Sequence, residues 1–213
     1  MNETRDTYVE AAETAMELIS RDETATMWNA ESVLQGMTVG VLASHLARSV
    51  LQVEWFLDGV ITGKNRPVTA TIYYARLADT SSRTSTLNAG VEKRSAGTAA
   101  QGPDAIVRDA RSALDRIRSR LTEEPVDRRV AVAHRPGEEL LLDEYLLTRL
   151  VELPVHIEDL ALSVGVDCTP PPGAVAAAID LLVSAARSRH GDLAVLHALS
   201  RRERDDVEAL RVI

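Results

Sequence analysis

Several features that mark extracellular, membrane-spanning or nucleic-acid-binding proteins are scarce in this sequence. Cys168 is the single cysteine among 213 residues, so no disulfide can form within the chain, which predicts a reducing cytoplasm. Residues 1–6 are polar and acidic, unlike a signal peptide, and no apolar run approaches the roughly 20 residues that span a membrane. The formal net charge of −8 argues against nucleic acid as a partner, because phosphate binding requires a basic surface. We therefore expect a soluble cytoplasmic protein.

Aromatic residues are also scarce, at 3% of the chain, whereas apolar residues in total reach 45%. The core must therefore consist mainly of Leu, Val, Ile and Ala, and both Ala and Leu favour helix intrinsically. Apolar positions recur at spacings of three and four, as on the buried face of a helix. We expect residues 1–213 to form a single all-α domain. The predicted core helices cover about 3–21, 38–58, 103–121 and 142–164, and a further helix over 174–189 packs alongside. Asp143 is expected to cap the helix over 142–164, and Gly165 to end it.

Two regions interrupt this helical pattern. Residues 60–102 are rich in Thr, Ser and Gly with weak apolar periodicity, which predicts a long crossover and a place for substrate-covering segments. Short extra helices are expected within it near 73–77 and 87–91. Residues 128–134 alternate in polarity and are followed by a turn sequence, which allows a small hairpin near 128–141.

The segment 150–160 carries the strongest signal for chemistry. Glu152 and His156 are four residues apart, so a helix places them on one face, and His45 lies on or beside the apolar stripe of an earlier helix. A catalytic zinc typically has three protein ligands and an open fourth position, and facing helices of a bundle can supply such a set. We predict His45, Glu152 and His156 as metal ligands. Asp159, one turn beyond His156, can orient that imidazole.

Plainer interpretations fit the same residues. Glu-x-x-x-His on a helix is often an ordinary side-chain pair, and a single histidine on an apolar stripe is often a core or boundary residue. The spacing of Asp159 equally suits a cap or an ion pair. Several divalent ions accept carboxylate and imidazole ligands, so the donor types do not identify the metal.

The remaining histidines and the cysteine carry weaker signals. His134 lies in the predicted hairpin and His190 at a helix end, which favours surface positions for both, with helix-dipole compensation for His190. His197 is predicted at the boundary of the core. Cys168 lies in a Pro-rich loop with no base nearby in sequence, which favours an unreactive thiol.

Two segments resemble the signatures of a known family. Residues 28–48 resemble the Trp…Gly-Met/Trp-Thr-Val…Leu-Ala-x-His-Leu segment of the mycothiol-dependent maleylpyruvate isomerase N-terminal domain, which belongs to the DinB-like helical-bundle superfamily. Residues 149–165 resemble its second signature, Arg-x-x-Glu-x-x-x-His-x-x-Asp-Leu. The tail at 199–205 resembles the closing Leu-x-Gly-Arg-Glu segment, with Arg201 where Gly is usual. The resemblance covers roughly residues 5–210.

This resemblance implies a DinB-like four-helix bundle and a metal-dependent thiol chemistry. In the family, the residues that correspond to His45, Glu152 and His156 bind a divalent metal, usually zinc. A low-molecular-weight thiol such as mycothiol would bind there as thiolate and attack an electrophile. Isomerases of the family add the thiol to a double bond, permit rotation and release it, whereas transferases leave it attached.

Two features depart from the family pattern. The full isomerase carries a C-terminal sterol-carrier-like domain that contributes to its active site, and we expect no room for one after Gly191. Pro154 lies between the two helical ligands, where other residues are usual, and predicts a kink there. We therefore expect a thiol transferase or isomerase-like enzyme, and maleylpyruvate isomerase activity itself is doubtful.

A different class of function remains open at this point. In a non-enzymatic helical module the same three residues would hold a structural metal or none. The acidic surface would then bind a protein partner or a second copy of the chain as a homodimer. The sequence indicates no catalytic or thiol-binding residue beyond the predicted metal ligands.

Overall fold

The computed structural model describes residues 2–64, 66–77, 86–132 and 137–200, together with residues 210 and 212. Its elements in chain order are α1 (Glu3–Ile19), α2 (Asp22–Thr26), α3 (Val39–Leu57), α4 (Ala70–Ala75), α5 (Thr86–Ala99), α6 (Pro103–Glu123), β1 (Arg129–Ala131), β2 (Glu139–Leu141), α7 (Leu142–Val164), α8 (Pro172–His190) and α9 (Asp192–Ser200). The predicted all-α fold is confirmed. Across these described ranges, no helix is both long and apolar enough to cross a bilayer.

Four long helices form the centre of the fold. α1 packs against α6 and α7, and α3 packs against the same two helices, so that the four surround an aliphatic core. This arrangement is consistent with the predicted DinB-like bundle, and α8 packs alongside on α7 as expected. Tyr8, Tyr74 and Tyr145 are among the largest fully buried side chains, so the few aromatics are concentrated inside.

The ends of α3 and α7 follow from local sequence signals. The Thr38 hydroxyl accepts a hydrogen bond from the Val41 amide at 3.2 Å and caps the start of α3. Gly165 ends α7 in the left-handed conformation, at a φ of +70°, which glycine adopts without strain. The predicted spans 38–58 and 142–164 therefore match the structure to within one residue at each end.

The start of α7 differs from the expectation that Asp143 caps it. Leu141 occupies the N-cap position and provides no side-chain hydrogen bond. The Asp143 carboxylate instead accepts from Arg5 Nε at 2.7 Å and from the Asn2 side chain at 2.7 Å. That prediction is wrong because Arg5 is buried and takes the carboxylate as its ion-pair partner.

The segment before α3 is fixed by its contact with that helix. The amide of Gly40 donates to the Trp28 carbonyl at 2.8 Å, and the amide of Val39 donates to the Ala30 carbonyl at 2.9 Å. A Cβ atom on Gly40 would lie 2.5 Å from the Trp28 indole, so only glycine permits this packing. The contact fixes the first turn of α3, which leads to His45.

The crossover 60–102 contains two helices in its described part, α4 and α5, whereas residues 65 and 78–85 lie outside the described residues. α4 packs on α7 and α8, and α5 packs mainly on α3. The expected short helices near 73–77 and 87–91 correspond to these two elements, although α5 is longer than predicted.

Polar contacts at both ends of α4 hold it against its neighbours. Glu144 accepts from the Ala70 amide at 2.7 Å, which satisfies a free N–H in the first turn. Arg189 of α8 donates to the carbonyls of Tyr74 at 2.6 Å and Leu77 at 2.8 Å, which satisfies free carbonyls at the other end. These contacts position Tyr74 beside α7.

The hairpin predicted near 128–141 is present as two paired strands. β1 and β2 are antiparallel, with Arg129 opposite Leu141 and Val130 opposite Leu140. The turn at 133–136, which includes His134, lies outside the described residues. The carboxylate of Glu139 on β2 points inward, where its side chain is 3% exposed.

Candidate metal centre

His45 of α3 meets Glu152 and His156 of α7 in the packed interface between these two helices. One donor atom from each residue lies within 4.8 Å of the other two. His45 Nε2 is 3.2 Å from Glu152 Oε2, and His156 Nε2 is 3.6 Å from the same oxygen. The structure thus brings together all three residues that the sequence predicts as ligands, and metal binding by them stays a prediction.

The geometry of α7 accounts for half of this arrangement. The helix continues through Pro154, so Glu152 and His156 keep the one-turn separation that places them on one face. Leu153 and Ile157 are fully buried beside them and hold this face against the core. Helical structure extends on both sides of Pro154. A bend of the helix axis at this residue stays a prediction.

The three side chains are only partly buried. The exposed fraction is 16% for His45, 22% for Glu152 and 18% for His156. The three side chains are therefore not sealed within the core. An open coordination position facing a small molecule is compatible with this degree of exposure.

Each candidate ligand is also held from behind by a polar group. Asp159 Oδ2 lies 2.9 Å from His156 Nδ1, as its predicted orienting role requires. Ser95 Oγ of α5 lies 3.4 Å from His45 Nδ1. The Tyr74 hydroxyl lies 3.1 Å from Glu152 Oε1. Such contacts fix the tautomer and the orientation of metal-binding side chains, and here they leave Nε2, Nε2 and Oε2 facing one another.

Sequence analysis missed the roles of Tyr74 and Ser95. Tyr74 lies 78 residues before Glu152 and also approaches the Thr148 carbonyl at 3.1 Å. Ser95 is fully buried in a helix with weak periodicity. No local pattern marks either residue, since each gains its partner only when the crossover packs onto α3 and α7.

Electrostatics differ among the three candidate ligands. Burial would raise the pKa of Glu152, but hydrogen bonds with His156 and His45 and the charge of Arg149 lower it well below its usual range. Burial lowers the pKa of His45, which its hydrogen bond with Glu152 offsets only in part. An ionised carboxylate and a neutral imidazole are the protonation states in which these groups bind metals.

His156 behaves differently from His45. Burial would lower its pKa, but hydrogen bonds with Asp159 and Glu152 raise the pKa of His156 to about 9. The two imidazoles are 4.6 Å apart and nearly perpendicular, so they share one carboxylate oxygen without stacking. The site therefore combines one carboxylate with two imidazoles in unlike environments.

The donor set fits a divalent metal. Two imidazole nitrogens and one carboxylate oxygen form a ligand set known from catalytic zinc sites, and other divalent ions accept it as well. Within the part of the chain that the structure describes, no other group of His, Cys, Asp or Glu converges in this way. The polar groups behind the three donors add to the fit, because metal-binding histidines and carboxylates characteristically have such hydrogen-bond partners.

The other residues considered from the sequence lie apart from this centre. His190 is exposed at the end of α8, as predicted, and His197 on α9 is half-buried. Cys168 is half-buried, and burial raises the pKa of its thiol, which agrees with an unreactive cysteine. None of the three contributes to the candidate metal centre.

Comparison with known proteins adds an independent observation. The family model of the mycothiol maleylpyruvate isomerase N-terminal domain matches residues 9–161, a span that includes all three candidate ligands. Neither the curated proteins nor the solved structures that were compared gave a match. The matched span covers well over half of the 213 residues, and it includes the first segment that resembles a family signature, at 28–48, and residues 149–161 of the second. The chain therefore belongs to the mycothiol maleylpyruvate isomerase N-terminal domain family.

Proposed function

We propose that this chain binds one divalent metal ion, with zinc favoured, through His45, Glu152 and His156, and that it activates a low-molecular-weight thiol there. The observation that carries the proposal is the convergence of three supported donor atoms within 4.8 Å. Family membership supports the choice of mycothiol as the thiol. The function is thus a metal-dependent thiol transferase or isomerase-like activity.

The side chains of this site have separable tasks. A bound metal would lower the pKa of the thiol and provide a position for its sulfur. Asp159 holds the Nδ1 proton of His156, which leaves Nε2 as the coordinating nitrogen. Tyr74 engages Glu152 Oε1 and leaves Oε2 for the ion.

Transfer and isomerisation share the first step and differ in the last. In both, the thiolate sulfur forms a bond to an electrophilic carbon. In transfer this bond persists, and the carbon expels a leaving group in a substitution or the adduct takes up a proton in an addition. In isomerisation the bond breaks again after rotation about the former double bond. Product analysis by mass therefore distinguishes them, because only transfer yields a stable thioether.

A metal analysis tests the first part of the proposal. Protein purified without chelator should contain close to one divalent ion per chain, and His45→Ala should lose it while remaining folded by circular dichroism. Absence of a stoichiometric ion in the wild type, after supplementation with zinc, would refute the metal site.

A conjugation assay tests the second part. With mycothiol and an activated aryl halide, the metal-loaded protein should accelerate thioether formation, and His156→Ala should abolish the acceleration. A cysteine thiol under the same conditions serves as the comparison for thiol selectivity. Equal rates with and without protein, across several electrophiles, would refute the thiol chemistry and leave metal binding intact.

A non-enzymatic module is the second candidate. Large apolar side chains on α8 and α9 are between 37% and 63% exposed, which is typical of surfaces that contact another protein. They are Val175, Ile179, Leu193, Leu196 and Leu199. If His156→Ala loses only stability, and sedimentation shows self-association, this candidate displaces the enzyme.

A further inference from the structure

Arg189, a half-buried residue in the last turn of α8, donates hydrogen bonds to four main-chain carbonyls. Its Nη2 donates to Tyr74 at 2.6 Å and to Leu77 at 2.8 Å. Its Nε donates to Ala75 at 3.2 Å, and its Nη1 donates to Val212 at 3.3 Å. All three nitrogens of the guanidinium are therefore engaged, and three of the four acceptors lie at the end of α4.

The short helix α4 depends on contacts of this kind. It has six residues, and a helix of that length is marginal by itself. The carbonyls of its last turn also lack the partners that a longer helix would provide. Glu144 of α7 binds the first turn through the Ala70 amide, and Arg189 of α8 binds the last turn. α4 is thus fixed to a different helix at each end.

Tyr74 connects the Arg189 contact with the candidate metal centre. Its carbonyl accepts from Arg189, and its hydroxyl lies 3.1 Å from Glu152 Oε1. The carbonyl and the hydroxyl are at opposite ends of the residue, so a rotation of α4 that releases the first also displaces the second. Hydrogen bonds weaken steeply outside their normal distances and angles. Arg189 can therefore influence Glu152 without a contact between them.

We propose that Arg189 is a positioning residue of the candidate metal centre and acts through Tyr74. It holds α4 in the orientation in which the Tyr74 hydroxyl engages Glu152 Oε1 and leaves Oε2 for the ion. The Val212 carbonyl shares the same guanidinium, so the end of the chain is joined to this support. The inference rests on the metal site of the proposed function and is independent of the thiol chemistry.

Zinc affinity of the full-length protein, measured by competition with a fluorescent chelator, tests this role. Arg189→Gln should weaken zinc binding about 3- to 10-fold. The loss should not exceed that of Tyr74→Phe, because Arg189 acts only through Tyr74. Arg189→Lys keeps a charged donor for the carbonyls and should recover part of the affinity.

Arg128→Gln is the matched control. Arg128 also donates to a carbonyl at the end of a helix, that of Leu57 on α3. α3 carries His45, about three turns before this contact. If the loss of any arginine contact to a ligand-bearing helix weakened the site, Arg128→Gln would lose zinc as well. It should instead bind zinc like the wild type.

A double variant separates positioning from a general loss of stability. In a Tyr74→Phe background the hydroxyl that transmits the effect is absent, so Arg189→Gln should cause no further loss of zinc affinity. General destabilisation would lower the affinity by the same factor in both backgrounds. Losses that multiply in the double variant would therefore exclude a route through Tyr74.

Hydrogen exchange provides a reading in the opposite direction. If Arg189 and its contacts favour zinc, zinc must favour those contacts to the same degree. Saturating zinc should slow exchange of the Leu77 amide, which donates to the Tyr74 carbonyl at the end of α4. The slowing should exceed that of the Glu124 amide at the end of α6 and should disappear in Tyr74→Phe.

The possible failures are distinguishable. Wild-type zinc affinity in folded Arg189→Gln would overturn the positioning role and keep the proposed function. A wild type that binds no zinc would refute both. Zinc binding that depends on Arg189, without any thiol chemistry, would reject the thiol activity and keep the positioning role. Thermal unfolding first establishes that each variant is folded, and Arg189→Lys replaces Arg189→Gln in every comparison if the latter does not fold.

Discussion

Two buried carboxylates, Glu139 of the hairpin and Glu152 of α7, show how similar electrostatics arise from different surroundings. Burial would raise the pKa of each, and hydrogen bonds lower it instead, to about 2 for Glu139 and well below the usual range for Glu152. Both carboxylates are therefore ionised at neutral pH. The difference between them lies in the groups that donate the hydrogen bonds.

The carboxylate of Glu139 accepts from two backbone amides, a hydroxyl and a guanidinium. Its Oε1 accepts from the Thr62 amide at 2.7 Å, the Gly63 amide at 3.0 Å and the Thr62 hydroxyl at 2.9 Å, and Arg129 pairs with Oε2 at 3.2 Å. Gly63 adopts a φ of +65°, which lets consecutive amides converge on one anion. This carboxylate fastens a loop to the hairpin.

Glu152 instead faces groups that can exchange partners. Two imidazoles and a phenol surround it, and imidazole nitrogen is a metal ligand as well as a hydrogen-bond partner. A lowered pKa alone therefore does not distinguish a structural carboxylate from a functional one. The identity of the partners makes that distinction, and substitutions can test it.

The largest expected difference is in metal binding by Glu152→Gln and Glu139→Gln. Glu152→Gln removes the anionic donor and should reduce zinc affinity by more than the roughly 10- to 100-fold typical of residues that only support a ligand. Glu139→Gln should retain zinc at wild-type stoichiometry. Competition with a fluorescent chelator measures both affinities, and equal losses in the two variants would remove the distinction between the carboxylates.

The second expected difference is in stability and its dependence on pH. Because the pKa of Glu139 is about 2 in the folded protein and 4.5 ordinarily, its ionised form should stabilise the fold by about 3 kcal/mol at neutral pH. The lower folded-state value means that this contribution is complete above about pH 4.5 and is lost as pH falls towards 2.

Urea unfolding of wild type and Glu139→Gln checks this prediction. The free-energy difference between them should be greatest at pH 7 and should shrink at pH 3.5, since other titrating groups contribute equally to both proteins. A difference that does not change with pH would show that the loss comes from packing rather than from ionisation.

Two buried tyrosines provide the third comparison. Tyr74→Phe removes the hydroxyl that engages Glu152 and should lower zinc affinity about 10-fold or more. Tyr8→Phe removes a hydroxyl that donates to the Ser49 carbonyl at 3.2 Å rather than to a candidate ligand. Both should lose about 1 kcal/mol of stability, but Tyr8→Phe should keep wild-type zinc affinity. Equal zinc affinities in the two variants would exclude a positioning role for Tyr74.

The smallest expected effect concerns the acid behind His156. Asp159→Asn keeps an oxygen that can accept from His156 Nδ1, so zinc affinity should fall by no more than about 10-fold. Glu158→Gln, at the exposed neighbouring position, serves as the control and should have no effect. Isothermal titration with zinc measures the affinity of both variants. Indistinguishable isotherms would show that Asp159 does not assist the His156 imidazole.

The residues that sequence analysis placed correctly are those whose positions follow from local spacing. Glu152 and His156 share a face because they are four residues apart on one helix, and Gly165 marks where that helix ends. His45 required an additional inference about how two distant helices pack. The ligand number of a catalytic metal and the geometry of a bundle suggested that packing, and the family signatures strengthened it, since periodicity alone leaves the packing partner open.

What the sequence did not reveal depends on contacts between distant segments. Tyr74 and Ser95 lie in the crossover, where polar composition conceals the two helices that carry them. Asp143 was expected as a helix cap because its position suits one, but Arg5, from 138 residues earlier, takes its carboxylate. Propensity describes one segment at a time, and these partners are set by tertiary packing.

The separation of His45 and Glu152 by 107 residues gives a bound metal a mechanical consequence. An ion that coordinates both would close half of the chain into a loop, much as a disulfide does, and a loop of this length loses about 4 to 5 kcal/mol of unfolded-state entropy in the simplest chain model. α3 and α7 could then separate only after the ion departs. Chelation, rather than heat or denaturant, would set the rate at which this fold opens.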